Sequence, residues 1–162
     1  MQGNPKVIAA LNYALRAELI AINQYFLHGE MQQSWGYAKL GGFIRKQSID
    51  EMIHAERLIE RILFLEGTPG IGMKLPLKTG KNVKAQIESD LGLEQEAYTQ
   101  YNAAVQLCAD QGDNTSSELI RAILTDEEKH IDFLEAQLHL IGEIGIQNYL
   151  ARQMADASEA GS

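Results

Sequence analysis

The sequence predicts an all-α protein: a bundle of four long helices, with a long crossover between helices 2 and 3 and a short fifth helix at the C-terminus. Three observations predict it. Apolar residues recur at alternating steps of three and four along four long segments. The three prolines, Pro5, Pro69 and Pro76, spare the interior of every one of those segments. The single long stretch without periodicity, Gly67 to Lys81, lies midway along the chain and joins the second segment to the third.

Each element has its own justification. The first helix is expected from Pro5 to Ser34, because Asn4-Pro5 supplies an N-cap followed by proline at the first helical position, and Trp35-Gly36 ends it. The second is expected from Ala38 to Glu66, with Gly41-Gly42 weakening its first turn. The third starts after Asn82, a good cap, and ends near Asp110; the fourth starts at Thr115, where Thr115-x-x-Glu118 reads as a capping box, and ends near Gly142. A fifth helix is expected from Ile146 to Met154. Residues 1–154 thus read as one domain, and the small polar tail Ala155 to Ser162 as disordered. The joins at Gly36 and at Gln111 to Asn114 are short, so each flanking pair forms an antiparallel hairpin.

Composition narrows the function. The 162 residues carry 14 basic and 22 acidic side chains, a net charge of −8, which argues against nucleic acid as a direct partner and favours cations. The single Cys108 rules out an intramolecular disulfide and a cysteine-rich zinc site, and its apolar neighbours suggest a buried, inert thiol. Arg16 and Glu18 interrupt any signal-peptide pattern and no apolar run reaches membrane-span length, so a cytoplasmic protein is the simplest reading.

The informative feature is what interrupts the seams. The first helix reads Ile8, Leu11, Leu15, Glu18, Ile22, Tyr25; the second Ile44, Ser48, Glu51, Ala55, Leu58, Ile62, Leu65. The third reads Val83, Ile87, Leu91 (one step off strict register), Glu94, Tyr98, Tyr101, Val105, Cys108; the fourth Ile120, Leu124, Glu127, Ile131, Leu134, Leu138, Ile141. One glutamate sits near mid-height in each seam, and the separations Glu18 to Glu51 and Glu94 to Glu127 are both 33 residues. Helices of this length span about 45 Å, so water hardly reaches the layer from the bundle ends. Buried carboxylates are costly unless protonated, paired or bound to a cation.

The second glutamate of each pair opens an E-x-x-H: Glu51 with His54, and Glu127 with His130. On a helix those side chains lie about 60° apart around the axis and about 4.5 Å along it, so both can reach one ion. Four carboxylates balance two divalent cations. Oxygen-rich ligation with imidazole suits iron or manganese, and the pattern is that of carboxylate-bridged di-iron and di-manganese bundles. Glu18, Glu51, His54, Glu94, Glu127 and His130 are therefore the candidate metal ligands. Asp50 and Gln47 are candidate hydrogen-bond partners of those ligands, with a solvated face the alternative. Tyr25, two turns after Glu18, is a packed core residue or a hydroxyl serving the metal pair. His28 and His139 have no matching carboxylates and read as structural or exposed. Met52, about 100° around the helix from Glu51, faces away from the bundle axis and fits a surface or interface contact. Asp113 and Asp132 are candidate pore-lining acids.

At this point the chain resembles bacterioferritin over nearly all of Met1 to Met154. The resemblance is carried by Ala21-Ile22-Asn23-Gln24-Tyr25-Phe26-Leu27-His28, by Ser48-Ile49-Asp50-Glu51-Met52 with His54, by Leu58-Ile59-Glu60-Arg61-Ile62-Leu63-Phe64-Leu65-Glu66-Gly67, and by Gln147-Asn148-Tyr149-Leu150. It implies a ferritin-like fold and a ferroxidase centre made of the six candidate ligands, a catalytic di-iron centre with Glu51 and Glu127 bridging two irons. It further implies iron storage: Fe(II) oxidised by dioxygen or peroxide, and Fe(III) mineral held in a hollow shell of two dozen subunits. Haem b between two subunits, ligated by Met52 from each, is implied in the same way, as is a small iron–sulfur ferredoxin that reduces the mineral. Lys46 and Gln47 depart from the histidine and glutamate of many members, which puts an inner-surface iron site with Asp50 in doubt, and the segment Thr68 to Pro76 also differs. Two other readings stand beside storage: a di-iron oxidase or peroxidase that accumulates no mineral, and a structural, haem-carrying subunit of a mixed shell. The lone cysteine excludes a rubrerythrin.

Overall fold

The computed structural model describes residues 1–72 and 74–156. Four long helices, α1 (Pro5–Ser34), α2 (Ala38–Phe64), α3 (Val83–Asp110) and α4 (Asn114–Ile144), precede a short α5 (Ile146–Ala151). α1 pairs with α2 and α3 with α4 as antiparallel hairpins, and α1 packs on α3 to join the two. Of the tail expected to be disordered, positions 157–162 lie outside the described residues.

Local chemistry explains the boundaries. Asn4 Oδ1 accepts the Lys6 N–H ahead of Pro5, and Asn82 Oδ1 accepts the Ala85 N–H, so α1 and α3 start where capping placed them. The start of α4 differs from the expected Thr115 box. Asp113 is the N-cap: its carboxylate accepts the Ser116 N–H and hydroxyl at 2.9 and 2.7 Å, and Arg61 Nη2 at 2.8 Å. An ionised cap pinned by a half-buried guanidinium outcompetes a threonine hydroxyl. α4 runs on through Gly142 to Ile144. α2 stops two residues earlier than expected, with Glu66 left-handed (φ 59°) and the Gly67 N–H returning to the Ile62 carbonyl. α5 ends at Ala151 rather than Met154; it is anchored by buried Tyr149, whose hydroxyl donates to Gln137 Oε1.

Gly41 does not weaken α2. A Cβ there would lie 2.9 Å from the Gly29 carbonyl oxygen, and one on Gly29 would lie 3.1 Å from that of Gly41. The pair lets α1 and α2 cross at backbone distance, which sets a packing role against the helix-propensity cost of glycine.

Two apolar clusters fill the bundle. One contains Leu11, Leu15, Leu58, Ile62, Tyr101, Ile120 and Ile123; the other contains Tyr25, Leu40, Ile44, Ile87, Leu134 and Tyr149. Beside the second cluster, the crossover is fastened by a buried polar network. Gly80 N–H donates to His28 Nε2 (3.1 Å), which leaves Nδ1–H to donate to Asp90 Oδ1 (2.9 Å). Gln24 donates to the same Asp90 oxygen and accepts the Lys78 N–H. The α3 seam therefore carries Asp90, fully buried, where the sequence suggested Leu91 one step off register; the partner on α1 is His28, buried, so that of its two readings, structural or exposed, it is the structural one.

Candidate metal centre

Between the two clusters lie Glu18, Glu51, His54, Glu94, Glu127 and His130, each 7% exposed or less. Their helices bring them together as two quartets. In one, ligand atoms of Glu18, Glu51, His54 and Glu127 lie within 4.8 Å of one another; in the other, those of Glu51, Glu94, Glu127 and His130 do. Glu51 and Glu127 belong to both. Glu51 sends Oε2 to His54 Nδ1 (3.1 Å) and Oε1 to His130 Nδ1 (2.7 Å). Glu127 mirrors it, with Oε1 at 3.3 Å from His54 Nδ1 and Oε2 at 3.3 Å from His130 Nδ1. Glu18 faces only His54 (3.5 Å) and Glu94 only His130 (3.6 Å). The imidazole centroids stand 6.5 Å apart.

The hydrogen bonding of these atoms tests whether a cation fits. Glu18 Oε2, Glu51 Oε1, Glu127 Oε2 and His130 Nδ1 are buried and close to potential partners, yet none has a well-directed hydrogen bond. Lone pairs aimed at a common point rather than at each other are what cation ligands present, and orphaned buried polar atoms are otherwise expensive. Electrostatics agree. Burial, then the Glu51 charge, pushes the Glu18 carboxyl well up; burial, then the Glu127 charge, does the same to Glu94. Burial alone would lower both histidines, but the close surrounding carboxylates outweigh it, raising His54 strongly and His130 to about 12. Burial also works to raise Glu127, but its close contacts with Glu94, His130 and His54 prevail and hold it well below the usual carboxylate range.

The outer face of the layer opens on a cavity of about 380 Å³ between α2 and α4, where both histidines are reached past Asp50, Asp126, Lys46, Arg57 and Lys129. Phe43 and Phe133 stack at 4.0 Å on its wall.

A ferritin-like domain model matches residues 8–144. The bacterioferritin of Brucella melitensis biotype 1 is 46% identical over 160 residues, 99% of each chain. That of Rhodobacter capsulatus is 44% identical over 161 residues, 98% of this chain and all of that protein. That of Mycolicibacterium paratuberculosis is 44% identical over 152 residues, 94% and 96% of the two chains. The chain belongs to the bacterioferritins. It is accordingly an iron-storage protein of ferritin-like fold, and its buried carboxylate–histidine layer is compatible with a di-iron site. Among the described residues no helix is long and apolar enough to cross a membrane.

For this bacterioferritin, sequence reasoning reached some surrounding residues and missed others. Asp50, a candidate helper, lies 4.0 Å from His130 Nε2, whereas Gln47 is buried with an unpartnered Oε1. Asp126 was missed: its Oδ2 accepts from His54 Nε2 at 3.1 Å, so Nδ1 is the nitrogen presented to the centre. The signal was available, since Asp precedes Glu in both motifs, Asp50-Glu51-x-x-His54 and Asp126-Glu127-x-x-His130, and each aspartate crosses to the histidine of the other helix. Tyr25 is both of its alternatives at once, a packed core residue whose hydroxyl donates to Glu94 Oε1. Tyr101, passed over as a seam residue, donates to Glu18 Oε1 at 2.6 Å. Met52 faces outward, 55% exposed, His139 and Asp132 are exposed, and Cys108 is buried.

Proposed function

We propose that this chain is the subunit of a cytoplasmic iron-storage shell of two dozen copies, and that its six-residue layer is the ferroxidase centre. The observation that carries the reading is the sharing of Glu51 and Glu127 between the two quartets, each with one oxygen beside each histidine. Two Fe(II) substrate ions held side by side can together pass two electrons to one dioxygen or peroxide. Glu18 with His54 would serve one ion, Glu94 with His130 the other, and Glu51 and Glu127 would bridge. Asp126 fixes the His54 ring, and entering cations compete with the protons that burial favours on Glu18 and Glu94 and that the surrounding carboxylates favour on both imidazoles. The cavity at Asp50 and Asp126 gives Fe(II) a way in and Fe(III) a way out towards mineral.

Haem b belongs to the same reading. The exposed Met52 thioether, with the exposed apolar Ile49 beside it, would hold the haem iron together with the same residue of a second subunit, and thioether ligation would favour reduced iron and hence electron delivery to the mineral. Exposed Phe64 and Leu63 at the end of α2 extend the apolar surface such an assembly would cover. The crossover surface around Ile71, also exposed, is the proposed docking face for a small iron–sulfur ferredoxin.

The test is Fe(II) added under air to the metal-free protein, well beyond two ions per chain, with iron measured in the large soluble particles. Retention of hundreds of ferric ions per particle, abolished at early times by Glu127→Ala, is expected. Uptake that stops at about two ions per chain would leave a non-storing di-iron oxidase and defeat the storage reading.

A further inference from the structure

Two tyrosines enter the carboxylate layer from opposite sides, one from each apolar cluster: Tyr25 from one, Tyr101 from the other. Their placement follows the internal repeat of the chain. Tyr25 comes seven residues after Glu18 on α1, and Tyr101 seven residues after Glu94 on α3. Two turns separate each pair, so each hydroxyl lies too far along its own helix to bond its own glutamate and instead crosses to the other helix. Tyr25 serves Glu94 and Tyr101 serves Glu18.

The two contacts differ in what they leave free. Tyr25 bonds Glu94 Oε1, the same oxygen that faces His130 at 3.6 Å. Tyr101 bonds Glu18 Oε1 at 2.6 Å, while the oxygen that faces His54 is Oε2, fully buried and without a hydrogen bond. The phenol is 1% exposed, and its other acceptor, the Ala14 carbonyl at 3.3 Å, lies at the long end of hydrogen bonding.

Resting on the di-metal reading above, we infer that Tyr101 is a positioning residue of the His54 half-site: by occupying Glu18 Oε1 it fixes the carboxylate so that Oε2 alone is presented to a cation beside His54. A buried tyrosine that merely needed an acceptor would do nothing for metal binding. A positioning tyrosine holds a one-oxygen ligand in place before the ion arrives, and loss of such an outer partner typically weakens metal affinity about 10- to 100-fold.

The measurement is Co(II) titration of the metal-free protein, followed by calorimetry and by the visible d–d bands, alongside thermal melts. Wild type binds two ions per chain. Tyr101→Phe, which keeps the ring and removes one oxygen, weakens one of the two by about 10- to 100-fold and shifts that ion's bands. The affected ion is the one lost in His54→Ala, and Tyr25→Phe spares it. Isotherms and spectra that overlay wild type would overturn the inference, as would equal weakening of both ions accompanied by a lowered melting temperature. Failure of wild type to bind two Co(II) would instead defeat the di-metal reading itself.

Discussion

Loading the centre with divalent metal should expel up to about four protons per chain. Four of its six side chains hold protons more tightly than they would in water. Burial and neighbouring carboxylate charge raise Glu18 and Glu94, and carboxylate contacts raise His54 and His130, His130 up to about 12. A metal needs each carboxylate as an anion and each imidazole neutral at the nitrogen it uses, here Nδ1. Two ions therefore displace up to about four protons, about two per ion. By linkage the affinity per ion rises by up to about 100-fold per pH unit, or about 2.7 kcal/mol, wherever all four groups are protonated.

The sign follows from the direction of the shifts. All four groups are raised, so protons compete with the metal, the two histidines throughout the neutral range; binding strengthens as pH rises and weakens as it falls. Zn(II), which undergoes no redox chemistry, isolates the effect. Zn(II) titrated into weakly buffered metal-free protein with a pH indicator gives the proton count directly. Calorimetry in buffers of different ionisation enthalpy gives it a second way. Release of fewer than one proton per chain, or an affinity flat between pH 6 and 8, would show that the empty layer is not held together by protons.

Two further outcomes probe the scaffold. Asp113→Ala removes the α4 cap and strips the half-buried Arg61 of its carboxylate, so it should cost about 2–4 kcal/mol in thermal denaturation, while Thr115→Ala stays within about 0.5 kcal/mol; equal effects would restore the threonine box. Gly80→Ala would place a Cβ 2.3 Å from the Gln86 amide nitrogen, forcing the crossover off α3 and His28. A loss of about 1–3 kcal/mol, roughly 2–12 °C in melting temperature, is expected with Zn(II) stoichiometry unchanged, and a melt that matches wild type would show that the crossover has room to give.

The periodic signals of this chain were legible because they come from helix geometry alone. A glutamate on each apolar seam and an E-x-x-H on two of them determine which faces meet, and the cap at Asn4-Pro5 determines where α1 begins. What sequence left out depends on a second helix. Leu91 looked like the seam residue of α3 because apolarity was the criterion, yet Asp90 is buried there; only its distance to His28 and Gln24, from α1, makes a buried aspartate tolerable. Asp113 prevailed over Thr115 through Arg61, 52 residues earlier on α2. Gly41 read as a weak helix former until Gly29 was seen opposite. Asp126 and Tyr101 sit on repeats visible in the chain, but their roles are to act across the bundle, and single-helix spacing does not report that.

The same cross-helix logic explains how the fold tolerates so much buried charge. Several polar groups in the layer are supplied by one hairpin and met by the other: Asp126 and His54, Tyr101 and Glu18, and Tyr25 and Glu94 share hydrogen bonds, and Glu51 lies against His130. Without metal, the raised proton affinity of Glu18 and Glu94 favours their neutral form, and the rings of His54 and His130, whose proton affinity is raised in turn, face Glu51 and Glu127 on both sides. With metal, two divalent ions replace those protons at the same charge balance. Because either occupant can neutralise the layer, and because apolar clusters lie on both sides of it, the bundle is expected to fold without metal, unlike small metal-nucleated domains; thermal melts of the metal-free protein would check this. That independence suits a centre whose ions are substrates: they must leave as Fe(III) without the subunit losing its shape, and protons re-entering through the cavity beside His54 and His130 restore the empty state.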